Sequence, residues 1–554
     1  MSPGTLAAST TIACRLRPSQ PTESLTTLLI NGRIHSPSHP DATAFAVRDG
    51  VIAWLGSDDI GRSQFPEARV VDLDGGFVAP AFVDSHVHVT ATGLNIDGLD
   101  LREATSLRHC LQLIAEYAHR HPDGPVWGHG WDESGWPERT APTTDDLDAV
   151  LGERPAYLAR VDVHSAAATT ALRRQVPGLA DATGFAPQQP LSADAHHLVR
   201  AAARNALTPR QRHAARVAAL DHAAGLGIVA VHECAGPQIG GRDDWDELRA
   251  VEHGVEVVGY WGEAVADAEH AKALIAETGA HGLAGDLFVD GALGSRTAWL
   301  REPYTDAPHT CGNSYLDAGA ITAHLQACTE AGIPAGFHVI GDAAVGAVVD
   351  AVATVVDRFG GPATARCGHR LEHLEMVDGD QAVRLGAAGV IASMQPNFDA
   401  LWGGGDGMYA QRLGPDRVGR LNPLALLASE GVPLAFGSDS PVTGMNPWAT
   451  VRAAIEHRTS GSAISARAAF AAATRGGWRA CGVRDGITGT LVPGAAASYA
   501  IWDADGLEVS APANAVQRWS TDPRSRVPAL PRLTAGAQLP RCRRTVHRGV
   551  TIHG

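Results

Sequence analysis

The chain has 554 residues, of which 45% are hydrophobic and 19% charged, as in globular proteins with large cores. Asp and Glu number 60 against 45 Lys and Arg, and the net charge of −15 argues against nucleic acid or an anionic membrane as a partner. The eight cysteines are scattered without a Cys-x-x-Cys motif, and no apolar run approaches the ~20 residues of a bilayer span, so a cytoplasmic protein is predicted.

The order of residue patterns along the chain predicts a central unit enclosed by its two ends. Residues 1–24 are predicted to be a disordered tail. Short strand patterns in residues 25–77 and 485–554 predict one small β-domain composed of both chain ends. Between them, residues 78–484 alternate apolar runs with alanine-rich helical stretches, which is typical of βα units around a parallel sheet. Residues 96–210 interrupt this order and are predicted to be an inserted subdomain.

The central unit contains eight apolar runs that resemble parallel strands, the number that closes a (β/α)8 barrel. They are FVDSHVH (82–88), GIVAVHE (227–233), VEVVGYWG (255–262), GDLFVDG (285–291), IPAGFHVI (333–340), HRLEH (369–373), GVIASMQP (389–396) and VPLAFGSDS (432–440). The predicted fold class is therefore α/β, a TIM barrel with a composite β-domain and an insertion after its first strand.

Histidine and aspartate side chains recur near the ends of these predicted strands. His86 and His88, two residues apart on a strand, point to the same face. Two neutral imidazoles there could be hydrogen-bonding groups of the core or half of a divalent-metal site. His338, His373 and Asp439 lie late in other predicted strands, and the carboxyl ends of barrel strands meet at one rim. Five potential metal ligands are therefore expected to converge.

Longer motifs add a family resemblance to this ligand pattern. They are GWDESGWPERTAPTTDDLD, VDGALGSRTAWLREPY, FHVIGDAAV, RLEHLE, GSDSPVTGMNP and GTLVPG, spread in order over residues 26–554. The chain resembles the amidohydrolase superfamily, in particular the branch similar to N-substituted formamide deformylases. The resemblance implies a metal-dependent hydrolase of a non-peptide C–N bond, an amide, a formamide or a cyclic amide, in a small-molecule substrate.

One position departs from the family. The family usually has a lysine four residues before the Asp-Gly of DGALGS, and its carbamate bridges two metals; here that position is Asp286. The single lysine of the chain, Lys272, lies in a predicted surface helix. Either Asp286 is itself a ligand or the site holds one metal. Because an aspartate is shorter than a lysine, one divalent ion, most simply zinc, is expected, and two metals stay an alternative. The ligands expected for a single ion are His86, His88, His338 and Asp439.

The resemblance and the ligand types together predict the chemistry. A divalent ion lowers the pKa of bound water from ~16 to about 7. Asp439 is the expected general base, which takes the proton of this water and passes it to the leaving nitrogen. His373 is expected either to bind a second ion or to hydrogen-bond the water and polarise the scissile carbonyl. Asp439 and His373 are therefore the predicted catalytic residues.

Four further residues are predicted to bind the substrate. Trp131 and His164 lie in the insertion, and an aromatic wall there would suit an apolar substrate. Gln395 ends the seventh predicted strand. Arg296 follows the DGALGS turn and either holds a carboxylate or forms a structural ion pair.

Other functions stay open at this point. The same site could serve an aminohydrolase (deaminase) or an ester or carbamate hydrolase. From another class, a degenerate, non-catalytic barrel could act as a binding scaffold, although a scaffold has no need of five convergent ligands. The sequence does not decide between a monomer and a homo-oligomer.

Overall fold

The computed structural model describes residues 26–509 and 527–554, so the tail predicted for residues 1–24 lies outside the described residues. Six short strands and one helix come first. They are β1 (Thr27–Ile30), β2 (Arg33–Ile34), β3 (Ala44–Arg48), β4 (Val51–Gly56), α1 (Asp58–Gln64), β5 (Arg69–Asp72) and β6 (Phe77–Pro80). Four of the strands form a sheet in the order β4-β3-β1-β5.

The central region starts with one strand and one helix before the insertion begins. They are β7 (Phe82–Val87) and α2 (Val89–Ile96). The insertion has its own sheet, in the order β12-β11-β10-β9-β8, with helices packed on it. Its elements are β8 (Leu99–Asp100), α3 (Leu107–Arg120), β9 (Val126–Trp131), α4 (Thr144–Leu151), β10 (Ala156–Arg160), β11 (Ser165–Ala168), α5 (Thr170–Arg173), β12 (Leu191–Ser192), α6 (Ala193–Asn205) and α7 (Pro209–Gly225), with 3-10 turns at Glu133–Gly135 and Leu179–Asp181.

After the insertion, buried strands again alternate with helices. The elements as far as the last barrel-like strand are β13 (Ile228–Ala235), α8 (Gly241–Arg249), β14 (Glu256–Trp261), α9 (Ala268–Thr278), α10 (Ala318–Ala331), β15 (Gly336–Val339), α11 (Asp342–Phe359), α12 (Gly361–Cys367), β16 (Arg370–His373), α13 (Gly379–Ala388), β17 (Ile391–Met394), α14 (Pro396–Trp402), α15 (Met408–Leu413), α16 (Pro415–Val418), α17 (Leu424–Ser429) and β18 (Leu434–Phe436). Three helices follow, α18 (Pro447–Ile455), α19 (Ala466–Ala471) and α20 (Gly477–Ala480), with a π-helical turn at Ala472–Gly476.

The last strands return to the beginning of the chain. They are β19 (Tyr499–Asp503), β20 (Leu507–Glu508), β21 (Leu530–Pro531), β22 (Arg541–His547) and β23 (Val550–His553). A five-stranded sheet in the order β2-β6-β19-β22-β23 contains strands from both chain ends, with Tyr499 opposite Pro80. Among the described helices, none combines the length and the apolar character that a bilayer span needs.

The central strands form a TIM-barrel-like arrangement in two parallel arcs. One arc has the order β14-β13-β7 and the other β15-β16-β17-β18. Isolated parallel bridges connect the arcs, Val87 to Ser440 at one junction and Tyr260 to Gly282 and Leu283 to Ala335 at the other. The hydrogen-bonded ladders of the described strands therefore do not close into one continuous barrel.

The fourth predicted strand, residues 285–291, is not a regular strand, and this part of the prediction is wrong. Within this segment, Phe288 forms an isolated parallel bridge with His338, and no regular ladder is present. Gly285 has a φ of +76°, a left-handed conformation that interrupts an extended run. The segment therefore bends where the prediction expected a straight strand, and the bend comes directly before Asp286.

An aromatic cluster packs the composite sheet against the base of the barrel-like unit. The ring of Phe82 on β7 lies 5.0 Å from Trp448 and 5.8 Å from Trp502 of β19, edge to face. Trp448 stacks on Phe470 at 5.5 Å. These side chains are nearly inaccessible to solvent, and aromatic pairs of this geometry add about 0.5–1.5 kcal/mol beyond the burial of their area. This packing holds the N-terminal end of the first barrel-like strand, β7, and the histidines lie at its C-terminal end.

Candidate functional site

The carboxylate of Asp286 lies among four histidine rings. Its Oδ2 is 3.2 Å from Nε2 of His88, and its Oδ1 is 3.4 Å from Nε2 of His86. On the other side, Oδ1 is 3.6 Å from Nδ1 of His338 and 4.0 Å from Nε2 of His373. The structure thus places Asp286 at the centre of the predicted ligand set, whereas the expectation of a single ion had left it outside.

Asp439 closes the cluster beside the first two histidines. Its Oδ1 lies 3.4 Å from Nε2 of His86 and 3.2 Å from Nε2 of His88. The backbone N–H of Asp439 donates to the carbonyl of His86 at 2.8 Å, which ties the residues after β18 to β7. Gly437 permits this approach, because a Cβ there would lie 2.4 Å from the backbone nitrogen of His86. The residues predicted from the strand ends therefore do meet.

In His86 and His338, the ring nitrogen that faces away from Asp286 has a hydrogen-bond partner. The other ring nitrogen of each therefore directs its lone pair at Asp286. Nδ1 of His86 lies 2.9 Å from Oε2 of Glu372, so the proton is assigned to Nδ1. Nε2 of His338 lies 3.3 Å from the carbonyl of Gly291, which assigns its proton in the same way. The inner atoms, His86 Nε2, His338 Nδ1 and Asp286 Oδ1, are buried without a hydrogen-bond partner. Protein metal ligands adopt this arrangement, and the cluster therefore fits a divalent ion.

His373 is held in the same manner by Gln395. Nδ1 of His373 lies 2.7 Å from Oε1 of Gln395, which leaves the lone pair on Nε2. Burial and the neighbouring His338 and His86 lower the pKa of His373 to about 3, so its ring is neutral. Gln395 therefore orients the ring of His373; it is not among the cavity-lining residues, and its contact with the substrate stays a prediction.

Two groups of potential ligands share Asp286. In each group the ligand atoms all lie within 4.8 Å of one another. The groups are His86, His88 and Asp286 on one side, and Asp286, His338 and His373 on the other. Asp439 belongs to a further such group with His86 and His373. The donor set therefore offers enough nitrogen and oxygen atoms for more than one cation.

A buried ion pair lies beneath the histidines and was not identified from the sequence. Nη2 of Arg370 donates to Glu372 at 2.8 Å and to the carbonyl of Ser85 at 2.6 Å. Burial raises the pKa of Glu372, but the charge of Arg370 and the bond to His86 hold it well below its usual range. Arg370 and Glu372 are two residues apart in the RLEHLE motif, so they share one face of β16. This spacing of an arginine and a glutamate on one strand is the feature of the sequence that could have predicted a charged pair inside the barrel.

Two further aspartates fix the loops that carry ligands. Asp84 accepts hydrogen bonds from the backbone N–H of Ser438 at 2.8 Å and of His86 at 3.3 Å. Asp290 accepts from the N–H groups of Ile340 at 3.0 Å and Gly341 at 2.8 Å. Burial raises the pKa of each to about 6, against the opposing effect of these donors. Both carboxylates therefore hold the backbone in place and are not among the potential metal ligands.

A cavity opens on the cluster, and the insertion forms its outer wall. The cavity is lined by His88, His338, His373, Asp286 and Asp439 on the cluster side. On the insertion side it is lined by Trp127, His129, Tyr157, His164, His197 and Arg200. His164, a predicted substrate-binding residue, has its ring 5.1 Å from that of His338. Burial and the neighbouring His338 lower the pKa of His164 to about 4.

Trp131 does not line the cavity, although it was predicted to bind the substrate. It is 1% exposed, and its Nε1 donates to the carbonyl of Leu158 at 2.8 Å within the core of the insertion. The reason is a bulge in β9: Ala159 pairs with His129 and the next residue with Trp131, so Gly130 is an extra residue. The bulge puts His129 and Trp131 on opposite faces, where regular alternation would put them on one.

Arg296 also lies away from the cavity. It is half-buried, and its Nη2 lies 2.7 Å from Oδ2 of Asp306. The structural ion pair, one of the two interpretations given above for this residue, is the one that the structure contains.

The barrel-like fold and the buried cluster of histidines and aspartates define the class of metal-dependent hydrolases. A model described as "Amidohydrolase family" matches residues 69–553, and the chain belongs to this family, which confirms the resemblance of the motifs. The protein YtcJ of Bacillus subtilis is 28% identical over 75% of this chain and 80% of its own length. An N-substituted formamide deformylase of Arthrobacter pascens is 27% identical over 26% of this chain and 28% of its own. A metal-dependent hydrolase of Pyrococcus furiosus shares the fold over 87% of this chain and 99% of its own, with 26% identity and a TM-score of 0.66.

Proposed function

We propose that the protein hydrolyses a non-peptide C–N bond of a small molecule, an amide, an N-substituted formamide or a cyclic amide. One observation carries the proposal. Buried, unpaired nitrogens of His86 and His338 and the Nε2 of His373 converge on Asp286, while the other ring nitrogen of each is held by an acceptor. Family membership supports hydrolysis as the reaction class. The formamide deformylase relative supports this type of bond, through the shared quarter of its length.

A divalent ion, proposed to be zinc, would be held by the six side chains of the cluster. When bound, such an ion supplies a water of lowered pKa and polarises a substrate carbonyl. The two ligand groups that share Asp286 support a second ion, for which Asp286 would be a common ligand. This proposal differs from the single ion that the sequence predicts, because the carboxylate of Asp286 lies among the histidine rings.

Asp439 is proposed as the general base. Burial raises the pKa of its carboxyl, but the neighbouring His86, His88 and His373 hold it below its usual range. The carboxylate is therefore ionised at neutral pH and accepts the proton of the attacking water. The same group then carries this proton to the leaving nitrogen, which departs as a neutral amine.

His373 is proposed as a ligand, one of the two roles predicted for it. Its Nδ1 proton is engaged by Gln395, and the neutral ring has a lone pair at Nε2. Without a proton at Nε2, His373 cannot polarise a carbonyl by donating a hydrogen bond. Coordination uses the lone pair and agrees with the distance to Asp286.

The alternatives are separated by products and by metal content. A screen of N-formyl and N-acyl amines against the zinc-loaded protein should release formate or a carboxylic acid together with the free amine. Release of ammonia from aminated rings would favour the deaminase, and turnover of esters or carbamates alone would favour the other hydrolase. A protein that purifies without stoichiometric metal and turns over none of these compounds would be the binding scaffold.

Location and partners are proposed on composition. The acidic net charge supports a small-molecule substrate, without nucleic acid or membrane as a partner. The seven cysteines within the described residues are free thiols, which supports a cytoplasmic location. Sedimentation of the purified protein would decide between a monomer and a homo-oligomer.

A further inference from the structure

Arg200 differs from the other buried arginines of the described residues. Buried arginines usually have a carboxylate partner, because an isolated buried charge is costly. The other four each have one within 4.0 Å: Arg160, Arg216, Arg370 and Arg412. Arg200 is 9% exposed, and among the described residues no carboxylate lies within that distance of its guanidinium. Its Nε is buried without a hydrogen-bond partner, and its Nη2 donates to the backbone carbonyl of Gln238 at 2.5 Å.

A second arginine lies one helical turn away. Arg204 is four residues after Arg200 on α6, so the two lie on the same side of the helix. Arg204 is half-buried, its Nη1 donates to the carbonyl of Ile239 at 2.6 Å, and again no described carboxylate lies within ion-pair distance. Both side chains line the cavity that opens on the metal-ligand cluster. Two cations therefore line the same cavity, and neither has a carboxylate within ion-pair distance among the described residues.

The carboxylates that share this cavity already have partners. Asp162 receives Nη1 of Arg160 at 2.9 Å, and Asp244 receives Nη2 of Arg216 at 2.6 Å. Glu233 accepts the backbone N–H of Val89 at 2.7 Å, and burial raises its pKa to about 7. None of these three groups neutralises Arg200 at contact distance.

An aromatic ring also lines the cavity, beside both the cluster and α6. The ring of Phe288 lies 4.8 Å from that of His338 and 5.8 Å from that of His197. His197 is three residues before Arg200 on α6. A molecule in this cavity can therefore contact the metal-ligand cluster, the ring of Phe288 and the two guanidinium groups.

We propose that Arg200 and Arg204 form an anion subsite that binds a carboxylate of the substrate, within the cavity that opens on the metal-ligand cluster. The substrate is then an N-acyl or N-formyl amine that also has a carboxylate, with an apolar spacer between the two groups. The inference rests on the proposed function for the reacting end only. Guanidinium presents a planar fork of donors that suits a carboxylate, and Arg200 donates to the protein from Nη2 alone among the described residues.

The test measures binding without turnover, so that it does not depend on which bond is cleaved. The protein is the metal-loaded Asp439→Asn variant, and the probes are N-formyl-ω-aminocarboxylates of increasing chain length, each paired with the carboxamide of the same length. A charge-assisted hydrogen bond contributes about 1.5–3 kcal/mol, so at the best length the carboxylate should bind about tenfold or more tightly than its carboxamide. Equal affinity of both probes at every length would overturn the proposal.

Three variants in the same background locate the effect. Arg200→Met should abolish the preference for the carboxylate while carboxamide binding stays within about twofold. Arg204→Met, at a half-buried position, should reduce the preference in part. Arg154→Met is the matched control: Arg154 also lies in the insertion and holds backbone carbonyls at Gly124 and Asp123, but does not line the cavity.

The competing role of the two arginines is to fix the loop that contains Gln238 and Ile239. In that case both Arg→Met variants would weaken the two probes equally, and the proposal would be wrong. A preference that survives both substitutions would place the carboxylate on the metal ions and would also refute it. If binding behaves as expected but no C–N bond is cleaved by the unsubstituted protein, the anion subsite stands and the proposed reaction fails.

Discussion

Nδ1 of His86 lies 2.9 Å from Oε2 of Glu372, and neither side chain is exposed to solvent. The contact fixes the tautomer that leaves Nε2 of His86 free, and Arg370 in turn holds the carboxylate. We expect Glu372→Gln to weaken metal binding by about 10–100-fold, the usual effect of removing such a partner. Competition with a chromogenic chelator measures this directly. Unchanged metal affinity in a folded variant would show that His86 is not a ligand.

The position of Asp286 predicts the number of ions. If its carboxylate lies between two cations, the loaded protein should contain two ions per chain, and Asp286→Ala should retain at most one. The matched comparison is His86→Ala, which removes a ligand from only one of the two groups that share Asp286. Elemental analysis of the three proteins, after removal of loosely bound metal, distinguishes the cases. One ion in the unsubstituted protein, still present in Asp286→Ala, would restore the single-ion site predicted from the sequence.

The absence of a lysine from the cluster predicts indifference to bicarbonate. Lys272 is exposed and pairs with Glu269 at 2.7 Å on α9, so it does not reach the metal ligands. Activity and metal content should therefore be unchanged when the protein is loaded with or without added bicarbonate. A bicarbonate-dependent gain in activity would contradict the assignment of Asp286 to the bridging place.

Asp439→Asn should reduce kcat by about 10²–10⁴-fold, because the amide cannot accept the proton of water. The fold should remain intact, since the backbone N–H that ties this residue to His86 is unaffected. Thermal unfolding provides the control for folding, and metal analysis shows whether the ligand set survives. A folded, metal-loaded variant that keeps more than about a tenth of the activity would exclude the general-base role.

Trp131 and Trp127 should respond differently to substitution. Trp131→Ala should destabilise the insertion by about 3–5 kcal/mol, as expected for a large aromatic side chain removed from a core. Trp127→Ala, at a cavity-lining and only half-buried position, should instead change KM for apolar substrates. Denaturation and steady-state kinetics on both variants separate the effects. A selective change of KM in Trp131→Ala, with unaltered stability, would show that Trp131 contacts the substrate after all.

Local patterns identified those parts of the molecule that follow a regular period. Alternating strands and helices predicted the barrel-like unit, and strand ends predicted the histidines of the cluster. The exceptions arise where one residue breaks the period. Gly285 has a left-handed conformation directly before Asp286, and the bulge at Gly130 turns Trp131 away from the cavity. An isolated sequence position does not show either event, because φ angles and strand register depend on the packing of neighbouring strands.

Charged residues inside the fold were the second class that the sequence did not reveal. Arg200 and Arg204 lie on a helix whose arginines resemble an ordinary solvent-exposed face. Only the packing of the insertion over the cluster places them in a cavity. Glu372 is part of the RLEHLE motif, but its role depends on its contact with His86, nearly three hundred positions away in the sequence.

His369 predicts part of the acid sensitivity of the protein. Its Nδ1 accepts the backbone N–H of Ala335 at 3.0 Å, and its Nε2 lies 2.9 Å from Oγ1 of Thr329, so both nitrogens are satisfied in the neutral ring. Burial and the nearby His324 lower its pKa from 6.5 to about 4. Because the unfolded chain takes up the proton first, the contribution of His369 is complete above about pH 6.5 and decreases as the pH falls towards about 4. At about pH 5 this single group should lower the free energy of unfolding by about 2 kcal/mol relative to its value at neutral pH.

The substitution His369→Gln tests this, because the amide can still accept from Ala335 but does not titrate. The melting temperature of the unsubstituted protein should fall more between neutral pH and about pH 5 than that of the variant. His324, whose pKa is also lowered to about 4 by burial, remains in the variant, so the pH dependence should be reduced and not abolished. His213→Gln, at an exposed site on α7, is the control and should leave the pH dependence nearly unchanged. Identical acid destabilisation of all three proteins would show that His369 is not held neutral in the folded chain.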